Sequence, residues 1–305
     1  MNNQQQLNAI NISGGTDGPH LLITGGVHGD EFTPMAAVRE LSKRVQPSEL
    51  CGRVTLGPIV NEAPFLNLLR SAEDGLDLAR VCPGRADGSV TERTAHALSE
   101  LIRSADYYID LHTGSTTFSV HPLAGYTLHP DAAILDTQRQ MARAFNLPIV
   151  WGTSPSHDGR SLSVARDAGV PAIYTEYLGS GVCDPDGVQA YVEGCLNVMG
   201  LFKLIDRAPP EPAVRYVVED DRPESGHMQI QNPAPITGFF EPSVGLGDAI
   251  QAGELIGVIT DVSGEASVEV RSTQNGIVLA LQTFSRALKG ESVVVILEVV
   301  SDQET

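Results

Sequence analysis

Leu21-Leu22-Ile23-Thr24-Gly25-Gly26-Val27-His28-Gly29-Asp30-Glu31 is the stretch that decides the fold. Its first four residues read as a buried strand, and Gly25-Gly26 stops it. His28 and Glu31 follow three positions apart, a spacing that puts both on one side of a helical turn. Residues 33–45 then have helical spacing, with Pro34 in a first turn that tolerates it. Strand, polar turn and helix in that order begin an α/β unit, with an imidazole and a carboxylate at the strand's carboxyl end.

A second imidazole comes from Asp110-Leu111-His112-Thr113-Gly114, where His112 stands just beyond a strand at 107–111. His28, Glu31 and His112 would together make a His2Glu set. Three protein ligands with a fourth position left to water is the pattern of a catalytic zinc, whereas a structural zinc is closed by four. The expectation is one zinc ion per chain and metal-assisted hydrolysis. Asp110 shares the strand face of His112 and is placed to orient a ligand imidazole.

Outward from these motifs, a strand at 54–60 ends at Asn61, and a strand at 172–175 delivers Glu176. Helices are expected at 91–102, capped by Thr91 and favoured by Glu92, at 132–145, and briefly at 162–167. Strands alternating with helices argue for an α/β domain whose mixed, largely parallel sheet is flanked by helices. In such sheets ligands bind beyond the carboxyl ends of the strands. His28, Asn61, His112 and Glu176 all occupy that kind of position.

Asp206-Arg207-Ala208-Pro209-Pro210-Glu211-Pro212 reads as a stiff linker. Beyond it helix signals vanish, and short β-type runs at 214–218, 257–260, 268–270, 276–281 and 293–300 alternate with glycine turns. The division expected is a catalytic α/β domain at 1–207 and a smaller all-β domain at 208–305.

Activated water needs a base to take its proton, and Glu176 is the candidate. Arg70 and Arg80 fit the remaining tasks, one stabilising a developing oxyanion and the other gripping a substrate carboxylate. Hydrophobic residues make up 42% of the 305, an ordinary globular proportion. The formal charge of −18 repels phosphate backbones and anionic membrane surfaces, which argues against a nucleic-acid or membrane partner. It would repel an anionic small substrate too, unless the site carries its own arginines. Cys51, Cys82, Cys183 and Cys195 form no CxxC pair, and the amino terminus has no basic and apolar leader pattern, so a cytoplasmic address is expected.

Gly26-Val27-His28-Gly29-Asp30-Glu31, the segment from Asn61 through Gly84, Asp110-Leu111-His112-Thr113-Gly114 and Thr175-Glu176 resemble, in that order, the succinylglutamate desuccinylase/aspartoacylase family of the zinc carboxypeptidase-like superfamily. The likeness covers roughly residues 20–205 and is greatest to the bacterial N-acyl amino acid deacylase branch. It implies zinc on His28, Glu31 and His112, with Glu176 as general base and then general acid. It also implies that Arg70 polarises the scissile carbonyl and that Arg80 binds a carboxylate, with Asn61 taken as a further substrate-binding residue. Ala79 stands where the family usually has asparagine, and Cys82 where an aromatic is common. Those departures bear on which acyl amino acid is accepted rather than on hydrolysis itself.

Gly247 to Gly257 and Asn275-Gly276-Ile277-Val278 resemble a biotinyl/lipoyl-type barrel, but no lysine lies between Lys203 and Lys289 to carry a swinging arm. A structural role follows, shaping the active-site mouth or an oligomer contact. The leading expectation is a deacylase acting on an N-acyl amino acid or a similar small acyl-amine. A carboxypeptidase cutting a peptide C-terminus and a metal- or ligand-binding protein without turnover are the alternatives.

Overall fold

The structure, a computed structural model, describes residues 7–299. The strands of the first two-thirds are β1 (Ile10–Ser13), β2 (Thr16–Thr24), β3 (Cys51–Gly57), β4 (Tyr107–Leu111), β5 (Phe118–Thr127), β6 (Ile149–Thr153) and β7 (Ala172–Gly179). Beyond them come β8 (Tyr216–Glu219), β9 (Gly238–Pro242), β10 (Ala249–Ile250), β11 (Leu255–Asp261), β12 (Ser267–Arg271), β13 (Gly276–Gln282), β14 (Arg286–Ala287) and β15 (Val294–Leu297). The helices are α1 (Phe32–Arg44), α2 (Glu62–Leu66), α3 (Val90–Arg103), α4 (Ala132–Phe145), α5 (Ser161–Ala168) and α6 (Pro185–Leu201).

The main sheet runs β1-β3-β2-β4-β7-β5-β13-β10, with β6 and β8 continuing from β5 and β15 lying on β13. Its centre, β3-β2-β4-β7, is parallel. Alternate residues of β2 feed opposite faces: Leu21 and Ile23 pack with α1, α4 and α6, while Leu22 packs with α3 and α5. Burial on both faces explains why the strand reads as an unbroken apolar run.

The sheet is mixed, as expected, and β5 enters it antiparallel to β7. Phe118–Thr127 carries Pro122 and Gly125, which break a strand pattern, and so it is hidden in the sequence. The register slips between Val120 and Leu123, and the strand changes partners there. Residues 118–120 pair with β13 and residues 123–127 pair with β6. A bulge at His121-Pro122 thus divides one long strand between β13 and β6.

A separate four-stranded sheet, β12-β11-β9-β14, is all antiparallel and lies wholly beyond the linker. The hydrogen-bonded main sheet nonetheless crosses residue 207, since β8 pairs parallel to β6 and β13 pairs with β5. The long helix α6 gives no clear amphipathic signal because much of it is buried, from Tyr191 to Gly200. Gly194 lets it approach α4: a Cβ there would stand 2.5 Å from the Phe145 ring.

Candidate metal centre and cavity

The turn after β2 lies just before α1 rather than in its first turn. Glu31 is the N-cap of α1, yet its side chain makes no capping bond. Its carboxylate points instead at the imidazoles: His28 Nδ1 is 2.7 Å from one oxygen and His112 Nδ1 is 3.0 Å from the other. The ligand atoms of His28, Glu31 and His112 all lie within 4.8 Å of one another. The sequence expectation that these three converge holds.

The neighbouring residues lock this set in place. Asp30 accepts hydrogen bonds from Ser115 Oγ and, at 3.3 Å, from the Thr116 amide. Glu31 also accepts from the Thr113 amide at 3.2 Å, so both acids of the turn pin the loop after β4. Asp110, fully buried, sits 3.1 Å from His112 Nε2 and accepts from Thr24 Oγ1 at 2.9 Å and from Ser161 Oγ. Asp77 plays the matching part for His28, 3.0 Å from its Nε2.

Each imidazole therefore has a carboxylate at both nitrogens. Burial alone would push His28 and His112 down, but these carboxylates outweigh it and raise both. Burial would likewise raise Glu31, and the two imidazoles instead hold it far below the usual carboxylate range. A neutral imidazole donating through Nε2 turns a lone pair on Nδ1 towards the Glu31 oxygens, and two acceptors that close need a proton or a cation between them. Two nitrogens and a carboxylate form a donor set suited to zinc, with acidic partners fixing the imidazole tautomers. The residues fit a divalent ion.

Glu176 is 9% exposed, and its Oε2 has no hydrogen-bond partner. Burial, above all, pushes its carboxyl up to about 7, against the pull of His112. It lies inside β7 rather than after a strand end, since that strand runs on to Gly179 against β5. Its parallel ladder with β4 stops one residue earlier, at Leu111 and Thr175, so the expected strand-end placement survives for that ladder.

Arg70 donates to Asp77 at 3.1 Å and reaches within 3.6 Å of Glu31. Arg80, exposed, donates to its neighbour Ala79 at 2.8 Å. Both line a cavity of about 470 Å³ together with His28, Glu31, Asp77, His112 and Glu176. Asp74 secures the segment between the two arginines, accepting from the Thr91 hydroxyl at 2.7 Å and its amide at 3.0 Å. Its slight burial would raise it, but bonds from Ser89 and Thr91 hold it at about 2.

Asn61 is not brought to this cavity. It is buried at the N-cap of α2, and its amide donates to the Val27 carbonyl at 3.3 Å, bracing the turn that carries His28. The substrate contact expected of it gains no support from that placement. Among the lining residues not singled out from the sequence are two basic ones. Arg160, the N-cap of α5, lines the cavity, as does His227 from beyond the linker. The arginine's only clue was its place before 162–167, and the histidine reads as an ordinary loop residue.

Residues 17–202 match the family model for the succinylglutamate desuccinylase/aspartoacylase catalytic domain. The chain is 31% identical over 293 residues to an N-alpha-acetyl-L-2,4-diaminobutyric acid deacetylase of Halomonas elongata, covering 93% of this chain and 83% of the relative. A crystal structure of a succinylglutamate desuccinylase/aspartoacylase from Rhodobacter sphaeroides superposes with a TM-score of 0.86 at 28% identity, covering 96% of this chain and 89% of the other. The product-bound ectoine utilization protein EutE (DoeB) of Ruegeria pomeroyi does so with a TM-score of 0.86 at 25% identity, covering 94% and 87%. With a catalytic-domain match over more than half its length and a relative 31% identical across 93% of it, the chain belongs to the succinylglutamate desuccinylase/aspartoacylase family.

Proposed function

We propose that the protein is a zinc-dependent deacylase that hydrolyses the amide bond of an N-acyl amino acid or a similar small acyl-amine. The observation that carries this reading is the convergence of His28, Glu31 and His112 beside a buried carboxylate, Glu176, with an oxygen left unpartnered. A divalent ion held there supplies a Lewis acid that polarises a carbonyl oxygen and lowers the pKa of water. Asp77 and Asp110 keep the two imidazoles turned with Nδ1 towards Glu31.

Glu176 takes a proton from the attacking water and returns it to the leaving amine nitrogen. Its elevated pKa of about 7 matches both duties near neutrality. The Arg70 guanidinium, fixed by Asp77, stabilises the negative charge that develops on the carbonyl oxygen. Arg80, which donates to the Ala79 carbonyl and has no carboxylate ion pair among the described residues, pairs with a substrate carboxylate. The relatives acting on acylated amino acids, by their names, favour this reaction over peptide cleavage.

The boundary at 207/208, a biotinyl/lipoyl-like C-terminal unit with a structural role at the active-site mouth or an oligomer contact, self-association into a homo-oligomer and a cytoplasmic address are part of the same proposal. No helix among the described residues is long and apolar enough to cross a membrane. All four cysteines are free, as a reducing compartment requires. The test pairs metal analysis with hydrolysis of a panel of N-acyl amino acids and peptides. Zinc together with turnover of N-acyl amino acids is the expected result; turnover of peptides alone, or bound zinc with no turnover, contradicts the reading.

A further inference from the structure

Tyr174 lines the cavity and has no part in the metal set or in the proton transfer. It precedes Glu176 by two residues on β7, so the two side chains share one face of the strand. The antiparallel pairing sets it opposite Gly125 of β5. A Cβ at Gly125 would stand 2.3 Å from the Tyr174 ring, so a glycine there is what lets the ring lie across β5. The ring then packs against the apolar cluster that holds Leu162 and Val164, and against the one that holds Phe118 and Trp151. Its place is fixed by the fold before any ligand arrives.

The hydroxyl is what the fold leaves over. Tyr108, Tyr126 and Tyr191 are fully buried, and each spends its hydroxyl within the chain. Tyr108 pairs with Thr24 Oγ1 at 2.8 Å, Tyr126 donates to Glu219 at 2.6 Å, and Tyr191 donates to the His112 carbonyl. A tyrosine taken out of water ordinarily finds such a partner. Among the described residues the Tyr174 hydroxyl makes no hydrogen bond, and it feels Glu176 and Arg160 only through their charges. Burial first, and then the Glu176 charge, push this phenol up, so it keeps its proton and can donate. Thr127 of β5 and Thr153 of β6 line the same cavity and add no charge.

A full charge set against this hydroxyl would meet its like on one side. A side-chain ammonium is repelled by Arg160, and a side-chain carboxylate by Glu176. An uncharged group that can accept a hydrogen bond satisfies the phenol without either cost. We propose that Tyr174 is a specificity-determining residue whose hydroxyl donates to an uncharged polar group, a carboxamide above all, on the side chain of the N-acyl amino acid. The inference rests on the deacylase reading and deepens it by naming the substrate class. The amino-acid half of the substrate is the half assigned, because Arg160 feels Arg80 as well as Tyr174, and Arg80 is the residue given to the substrate carboxylate.

The test compares kcat/KM of the zinc-loaded protein for the N-acetyl derivatives of asparagine, glutamine, methionine, glutamate and, on its alpha nitrogen, 2,4-diaminobutyrate. The better of the two carboxamides is expected to lead the other three by roughly 10-fold, the size of one net hydrogen bond to a neutral group. Tyr174→Phe keeps the ring and its packing and removes only the donor. It should act mainly by raising KM for the carboxamides and should shrink their lead over methionine to about 2-fold. Tyr126→Phe, which loses a hydroxyl used inside the fold, should not move that ratio. Competitive inhibition of the unmodified protein by free asparagine or glutamine, stronger than by methionine, gives a reading independent of how the variants fold. Equal or better turnover of the methionine or charged compounds, or a lead unchanged in a folded Tyr174→Phe protein, overturns the role of Tyr174 and leaves the hydrolase standing. Turnover of none of the five overturns the deacylase reading, and the role of Tyr174 with it.

Discussion

Glu31 and Arg160 line one cavity under opposite conditions. The carboxylate is met by His28 at 2.7 Å and His112 at 3.0 Å, whereas the guanidinium feels Asp77 and Glu176 only through their charge, weaker than the effect of burial and of the neighbouring Arg80. The inner half is closed by charges from within the chain, drawn from the β2 turn, the β4 end and the Arg70–Arg80 segment. It is preorganised, and its donor set suits a divalent cation. The outer half presents Arg80 and Arg160 on a largely acidic molecule. Chemistry and selection are therefore separable, and variants should sort accordingly.

The largest effect should come from Glu176→Gln, which keeps the shape of the side chain and removes the base. Turnover should fall by roughly 10²–10⁴-fold while metal content stays unchanged, as metal analysis beside initial rates would show. Arg70→Met should lower kcat by roughly 10²–10³-fold with little change in KM, because it removes charge stabilisation that develops only in the transition state. A KM effect instead would move Arg70 to the outer half. Asp110→Asn alters only the partner of His112 and should weaken zinc affinity roughly 10–100-fold, measured by chelator competition.

The pH profile sharpens the same division. Glu176 must be ionised to accept a proton, and burial raises it from 4.5 to about 7. kcat/KM should therefore rise with pH as this group ionises and flatten above about 7. A bound divalent cation favours the carboxylate and moves the limb to lower pH. A limb that persists in Glu176→Gln would belong to another group. The smallest effect is reserved for Asn61→Ala, which should cost about 1 kcal/mol in a denaturant melt through the lost Val27 bond and leave KM unchanged. A raised KM would restore it as a substrate contact.

The inner half was legible in the sequence because its spacing is dictated locally. Strand, glycine pair, His28 and Glu31 follow one another, and His112 sits one residue past a strand that reads plainly as apolar. The outer half was not, because Arg160 and His227 share a wall only through tertiary packing, across the linker at 206–212. The same limit applied to the fold. Leu21 to Thr24 announces β2, but β5 is masked by Pro122, and without β5 neither the antiparallel joint to β7 nor the attachment of β13 can be foreseen. Helix α6 is hidden for the opposite reason, since its buried sides leave no polar stripe to give a period.

The most direct test of the account is the metal stoichiometry of the purified protein beside that of His112→Ala, both checked for native fold by circular dichroism. One zinc per chain in the parent and almost none in the folded variant, with activity lost in step, is the result predicted. Full zinc occupancy in the folded His112→Ala protein would contradict it.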